Sequence, residues 1–179
     1  MITGKKMGQV VTVRQMIAIR RTLRRHGKRV VFTNGTFDIL HRGHVEYLLA
    51  ARKMGDVLVV GLNTDASIRR IKGDPRPINK GRDRAAVLSA LGCVDYVCFF
   101  GDDTPFLLIT AVVPDVLVKG ADWPVGAIVG KDVVEKHGGV VRTVRLTPGR
   151  STTGVIEKIL AAYRGRNSTR HNVQTNRKP

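Results

Sequence analysis

The hydrophobic positions fall into two rhythms that take turns along the chain. Over residues 12–26, Val13, Met16, Ile17, Ile19 and Leu23 recur at near-helical spacing among arginines, and Gly27 stands where a helix stops. Short unbroken apolar runs then appear at 29–34 (RVVFTN) and 56–63 (DVLVVGLN), with a helical pattern over 45–55 between them. Run, helix and run make a β-α-β unit. The alternation continues with a helix near 82–91, a strand at 94–100, a helix near 104–112, a strand at 115–120, a helix near 129–137, a strand at 139–144 and a last helix over 151–163.

Continuous apolar strands joined by helical crossovers imply a parallel sheet covered on both faces. Right-handed crossovers leave few topologies. The fold class expected is therefore α/β, a Rossmann-like doubly wound parallel sheet with helices on both faces. Ligands of such sheets collect at the carboxyl ends of the strands, near the point where strand order reverses. The expected organisation is a basic amino-terminal helix over 1–28 packed on or beside the core, one domain over 29–163, and a disordered basic tail over 164–179.

Composition narrows this picture. With 179 residues, 42% of them hydrophobic, the chain is long enough for one real core. No apolar run reaches the roughly 18 residues needed to span a bilayer, and no signal peptide pattern opens the chain, so a cytoplasmic protein is expected. Cys93 and Cys98 flank an apolar segment and read as buried thiols, since neither their number nor their spacing suits a disulfide framework or a zinc site. The net charge of +17 raises the question of nucleic acid, and its distribution answers it. Residues 1–30 hold nine Lys or Arg and no acid, and residues 164–179 hold five and no acid. The segment between is close to balanced, so the core is not a nucleic-acid surface by charge.

Candidate chemistry begins where the first long strand ends, at TNGTFDILHRGHVEYL, residues 33–48. Gly35 lets backbone amides approach an anion, and a helix opening near Gly43 aims its amides and positive dipole end at the same place. His41 and His44 then serve as hydrogen-bond donors to phosphate oxygens that gain charge in a transition state. Metal ligation is the rival reading, but the first histidine precedes the helix and no third ligand lies nearby. Capping or plain surface histidines are the other alternative. A second phosphate signal lies at PGRSTTGVIEKI, where Ser151, Thr152 and Thr153 open the last helix. An ordinary Ser/Thr N-cap is its structural alternative.

GTFDILHRGH resembles the HxGH signature of the nucleotidyltransferase superfamily that includes the cytidylyltransferases, and RSTT resembles its second motif. The segments VVGLNTDASIRRIKG, RPINKGRDRAAVLSALGCVDYV, DTP, PDVLVKGADW, IVG, GG and STTGVIEKI, in this order, are similar to the D-glycero-β-D-manno-heptose 1-phosphate adenylyltransferase family. The likeness runs from about Val30 to Tyr163.

That resemblance implies transfer of AMP from ATP, with Mg2+, to the sugar 1-phosphate, giving ADP-heptose and pyrophosphate for surface glycans such as lipopolysaccharide. His41 and His44 would act at the transition state, and Asn34, Gly35, Thr36 and Phe37 would shape the loop around the α-phosphate, braced by Asp38. Ser151, Thr152 and Thr153 would hold the departing phosphates. Lys119, Asp122 and Trp123 would lie beside the nucleoside, and Lys72, Arg76 and Lys80 would meet the sugar phosphate. It also implies a homodimer and a separate heptose kinase, because 179 residues leave no room for a kinase domain. Relatives often carry a basic residue three positions before Asp95; Gly92 stands there, which leaves Arg145 or Arg150 to supply that contact. Two readings compete with this one: CTP with glycerol 3-phosphate or another polyol phosphate, and a basic nucleic-acid module on an idle nucleotide fold.

Overall fold

The computed structural model describes residues 7–171. Six parallel strands form one sheet in the order β1-β4-β3-β2-β5-β6, so the chain winds outward both ways from β2. The strands are β1 (Gln9–Val11), β2 (Val30–Gly35), β3 (Val57–Asn63), β4 (Tyr96–Phe100), β5 (Val116–Gly120) and β6 (Val140–Val144). The helices are α1 (Val13–Arg25), α2 (Arg42–Arg52), α3 (Asp65–Lys72), α4 (Gly81–Ala90), α5 (Phe106–Val112), α6 (Lys131–Lys136) and α7 (Thr152–His171).

Alternate residues of each strand enter different cores, as the pleat requires. Val30 and Phe32 of β2 join Met16 of α1 and Leu108, Ile109 and Val112 of α5 on one face. Val31 joins Leu48 and Ala51 of α2 and Ala85 and Leu88 of α4 on the other. Both faces of the sheet are covered, which explains why its strands are apolar without alternation.

Two elements escape the sequence reading. β1 is three residues long and pairs in parallel with β4, Gln9 opposite Tyr96. α3 follows β3 directly, capped by Thr64, whose hydroxyl accepts from the Ser67 amide at 3.3 Å. The first segment is no appendage: β1 extends the sheet, and α1 buries Met16 completely. Thr12 and Gln15 form a reciprocal capping box at its start, and Gly27 (φ +64°) ends it in the left-handed conformation that glycine tolerates. α7 continues through His171, beyond Tyr163 where the pattern placed its end. Arginines favour helix there, and Gly165 alone does not break it. The rest of the expected tail, 172–179, lies outside the described residues.

Candidate active site

The carboxyl ends of β2 and β5 open onto a cavity of about 460 Å3. Asn34, Gly35, Thr36 and Phe37 line it from the loop after β2, His41 and His44 from the start of α2, and Ser151, Thr152 and Thr153 from the start of α7. Lys119, Asp122 and Trp123 close it along β5, with Lys72 and Arg76 opposite. Lys80 departs from this pattern. It precedes α4 and lines a different cleft with Thr64, Asp65 and Gly81.

His41 occupies the N-cap of α2 but makes no side-chain cap bond. Its ring instead stacks on His44, centroids 3.9 Å apart and planes 21° apart, while Phe37 leans on His44 at 5.3 Å. Gly43 makes the stack possible. A Cβ there would stand 3.2 Å from the His41 ring and 3.1 Å from the Arg150 Cβ. The Nδ1 atoms of both histidines are buried without a hydrogen-bond partner.

Burial, reinforced by neighbouring His41, drives the His44 pKa down to about 4. Burial and nearby Arg150 lower His41 as well. Two neutral rings therefore face the cavity at pH 7, each carrying one N–H donor.

The loop after β2 is held tightly. Phe37 has φ +40°, a conformation that costs a non-glycine residue on the order of 1 kcal/mol or more. Its ring fills the space a Cβ on Gly35 would need, 3.0 Å away. Asp38 is buried and accepts from the Asn79 and Ile78 amides at 2.8 and 2.9 Å and from Arg76 Nε at 2.6 Å. Burial alone would raise its pKa, but these donors outweigh it and hold the carboxyl below the usual range. Asp38 thus braces the loop against the 76–79 segment.

Lys119 donates to Asn34 Oδ1 at 2.5 Å across neighbouring strands, and its ammonium sits 5.8 Å from the Trp123 ring centroid. Burial pushes its pKa down to about 8 against the opposing pull of Asp122. A largely desolvated ammonium with a neutral partner suits an anionic ligand. Trp123 is 51% exposed, so core packing does not explain it.

Ser151 does cap α7, accepting from the Gly154 amide at 3.0 Å, and Thr152 donates to Ile39 O at 3.4 Å. The cap and a place on the cavity wall coexist. Sequence reasoning missed Tyr47 and Thr147, which also line the cavity. The Tyr47 hydroxyl bonds Thr33 at 2.7 Å and Val118 O at 3.1 Å, tying β2 to β5 beneath the site, and burial raises its pKa to about 12. Nothing in the sequence separates it from any helix tyrosine.

Arg150 lines the cavity, and Arg145 is absent from its wall. Asp95 stands just before β4, where its carboxylate accepts from Leu58 N at 2.8 Å and pairs with Arg52 at 3.0 Å. It is structural, and Gly92 beside it lies at the end of the sheet away from the cavity. Cys93 and Cys98 are buried and form no disulfide.

A cavity at the carboxyl ends of a doubly wound sheet, walled by HxGH and Ser-Thr-Thr, defines a nucleotidyltransferase-type site. Residues 32–171 match the model of the cytidylyltransferase-like family, and the chain belongs to that family. Among its relatives, the bifunctional protein HldE of Syntrophotalea carbinolica is 57% identical over 140 residues, covering 78% of this chain and 29% of the relative. HldE of Campylobacter concisus is 59% identical over 132 residues, 74% of this chain and 27% of that one. The chain thus spans less than a third of the length of these curated relatives. In structure it resembles the lipopolysaccharide core biosynthesis protein of Thermoplasma volcanium, with a TM-score of 0.56 and 32% identity, covering 68% of this chain and 98% of that one.

Proposed function

We propose that this chain transfers AMP from ATP to D-glycero-β-D-manno-heptose 1-phosphate, giving ADP-heptose and pyrophosphate. The observation that carries the reading is that the stacked histidine pair and the Ser151–Thr153 segment line one and the same cavity. The heptose assignment comes from the resemblance of the chain's segments to the heptose 1-phosphate adenylyltransferase family, and the HldE relatives at 53–59% identity support it.

A phosphate monoester is largely ionised at neutral pH, so the acceptor needs no general base. Its oxygen attacks the α-phosphorus in line, one P–O bond forms, and the bond to pyrophosphate breaks. His41 and His44 donate hydrogen bonds to oxygens on which charge grows, and as neutral imidazoles they keep the N–H proton they donate. Ser151, Thr152, Thr153 and the first amides of α7 receive the leaving phosphates. Lys72 and Arg76 hold the acceptor phosphate from the opposite wall, with Lys119, Asp122 and Trp123 beside the nucleoside.

Asp122 is the single carboxylate lining the cavity, and no group of three or more potential metal ligands occurs among the described residues. That donor set fits Mg2+ arriving on the nucleotide, where it spreads the charge of the phosphates. The 1-phosphate of the acceptor comes from a kinase reaction, and the enzyme works as a homodimer in this reading.

The test is pyrophosphate release with Mg2+, pairing ATP or CTP with either anomer of the heptose 1-phosphate or with glycerol 3-phosphate. Release with ATP and one heptose anomer is expected. Release only with CTP, or only with glycerol 3-phosphate, replaces the substrates and keeps the site.

A further inference from the structure

The segment 73–80 brings Arg76 to the cavity wall without burying a side chain in the core. Arg76 and Pro77 are partly buried and its other residues are exposed. Apolar packing therefore does not fix its place; hydrogen bonds do. Asn79 is held from two sides. Its backbone and side-chain amides go to Asp38 at 2.8 and 2.6 Å, and its carbonyl accepts from Arg84 Nε at 3.1 Å.

Arg84 belongs to α4, and its side chain is wholly buried. Besides Asn79 it reaches Thr36 O through Nη1 at 2.6 Å, and Asn63 O and Asp65 Oδ1 through Nη2 at 2.9 and 2.6 Å. Those acceptors come from the cavity wall, the loop after β2, the end of β3 and the start of α3. The Asp65 carboxylate also takes the Gly81 amide at 3.2 Å, closing the ring of bonds on α4 itself. A guanidinium can do this because its donors spread in a rigid plane, whereas a lysine offers the same charge from one point.

We infer that Arg84 is a positioning residue for the acceptor: it fixes the Lys72–Arg76 wall at a set distance from the Thr36 loop without itself lining the cavity. The inference rests on the adenylyl-transfer reading for its kinetic part alone. Arg84 joins the wall to the reaction centre, so its loss acts through Arg76.

The experiment compares R84K, R76A and the double variant, measuring KM for the sugar 1-phosphate and for ATP, with amide hydrogen exchange at Ile78 and Asn79. R84K is expected to raise the acceptor KM about tenfold or more and the ATP KM less, as expected when a positioning contact slips. Ile78 and Asn79 lose protection while β2 and β3 keep theirs, and R84K adds little once R76A is present. Equal rises in both KM values, additive effects, or unchanged protection at Ile78 and Asn79 would overturn the inference. Should R84K not fold, D65N loosens the same guanidinium from a partly exposed position and carries the same expectations at smaller size. Wild-type protein silent with every substrate pair would defeat the transfer reading, and the exchange result would still decide whether Arg84 holds the wall.

Discussion

In the proposed reaction His41 and His44 would work uncharged, an unusual demand on histidines set to meet a nucleotide's phosphates. Replacing either with alanine should slow turnover on the order of a hundredfold or more, the cost of losing a preorganised donor to a growing charge. Steady-state kcat for each variant checks this. The same burial links folding to pH. His44 titrates near 4 in the folded chain and near 6.5 when unfolded, so the unfolded state takes its proton first as pH falls. Stability from this group is whole above pH 6.5 and lost progressively down to about pH 4. Thermal melts across that window should show the loss, and His44→Asn should reduce it. Lys119 predicts an opposite edge. With its pKa near 8, nucleotide affinity should decline as pH rises beyond 8, and Lys119→Met should flatten that limb in binding titrations.

Among the elements, the α2 start is the least tolerant. Gly43→Ala should keep the fold but crowd the His41 ring and the Arg150 Cβ, lowering kcat by about tenfold to a hundredfold through a displacement under about 1 Å. Met16→Ala should cost roughly 2–5 kcal/mol in denaturant unfolding, because α1 fills a core and does not merely lie beside one. Both positions were legible in the sequence: Met16 through its helical period, Gly43 through the HxGH spacing. Other features were not. β1 is too short to show a period of two, and in α3 the buried Ser67 and Ile68 stand amid arginines and a lysine, too few apolar positions to show a helical period. Arg84 looked like part of a polar helix face, since a buried guanidinium with four partners has no sequence signature before the loops around it are placed. Lys80 was given a role through the family resemblance alone, and in the fold it lines a neighbouring cleft with Thr64 and Asp65.

Across the whole molecule, charge and chemistry occupy different regions. Arg20 is spent inside, bonded to Asp115 at 2.8 Å and to the Val113 carbonyl at 3.1 Å. Arg21, Arg24 and Arg25 stay exposed on α1, and Arg24 borders the end of the sheet where β2 and β6 begin. Salt at 0.15 M screens exposed charges beyond about 8 Å. Changing those three arginines to glutamine should therefore leave kcat/KM unchanged in physiological salt while weakening retention on an anionic resin. No described helix is long and apolar enough to cross a membrane.

The place of β1 at the sheet's edge bears on how the molecule is made. Gln9 pairs with Tyr96, far along the chain, so β1 is synthesised well before the strand that seats it. Until β4 arrives, Val10 and Val11 have no strand to pair with, and unpaired strand edges in that condition invite aggregation. The arginines that follow on α1 carry like charge, which opposes association of copies of that segment while it waits for its partner.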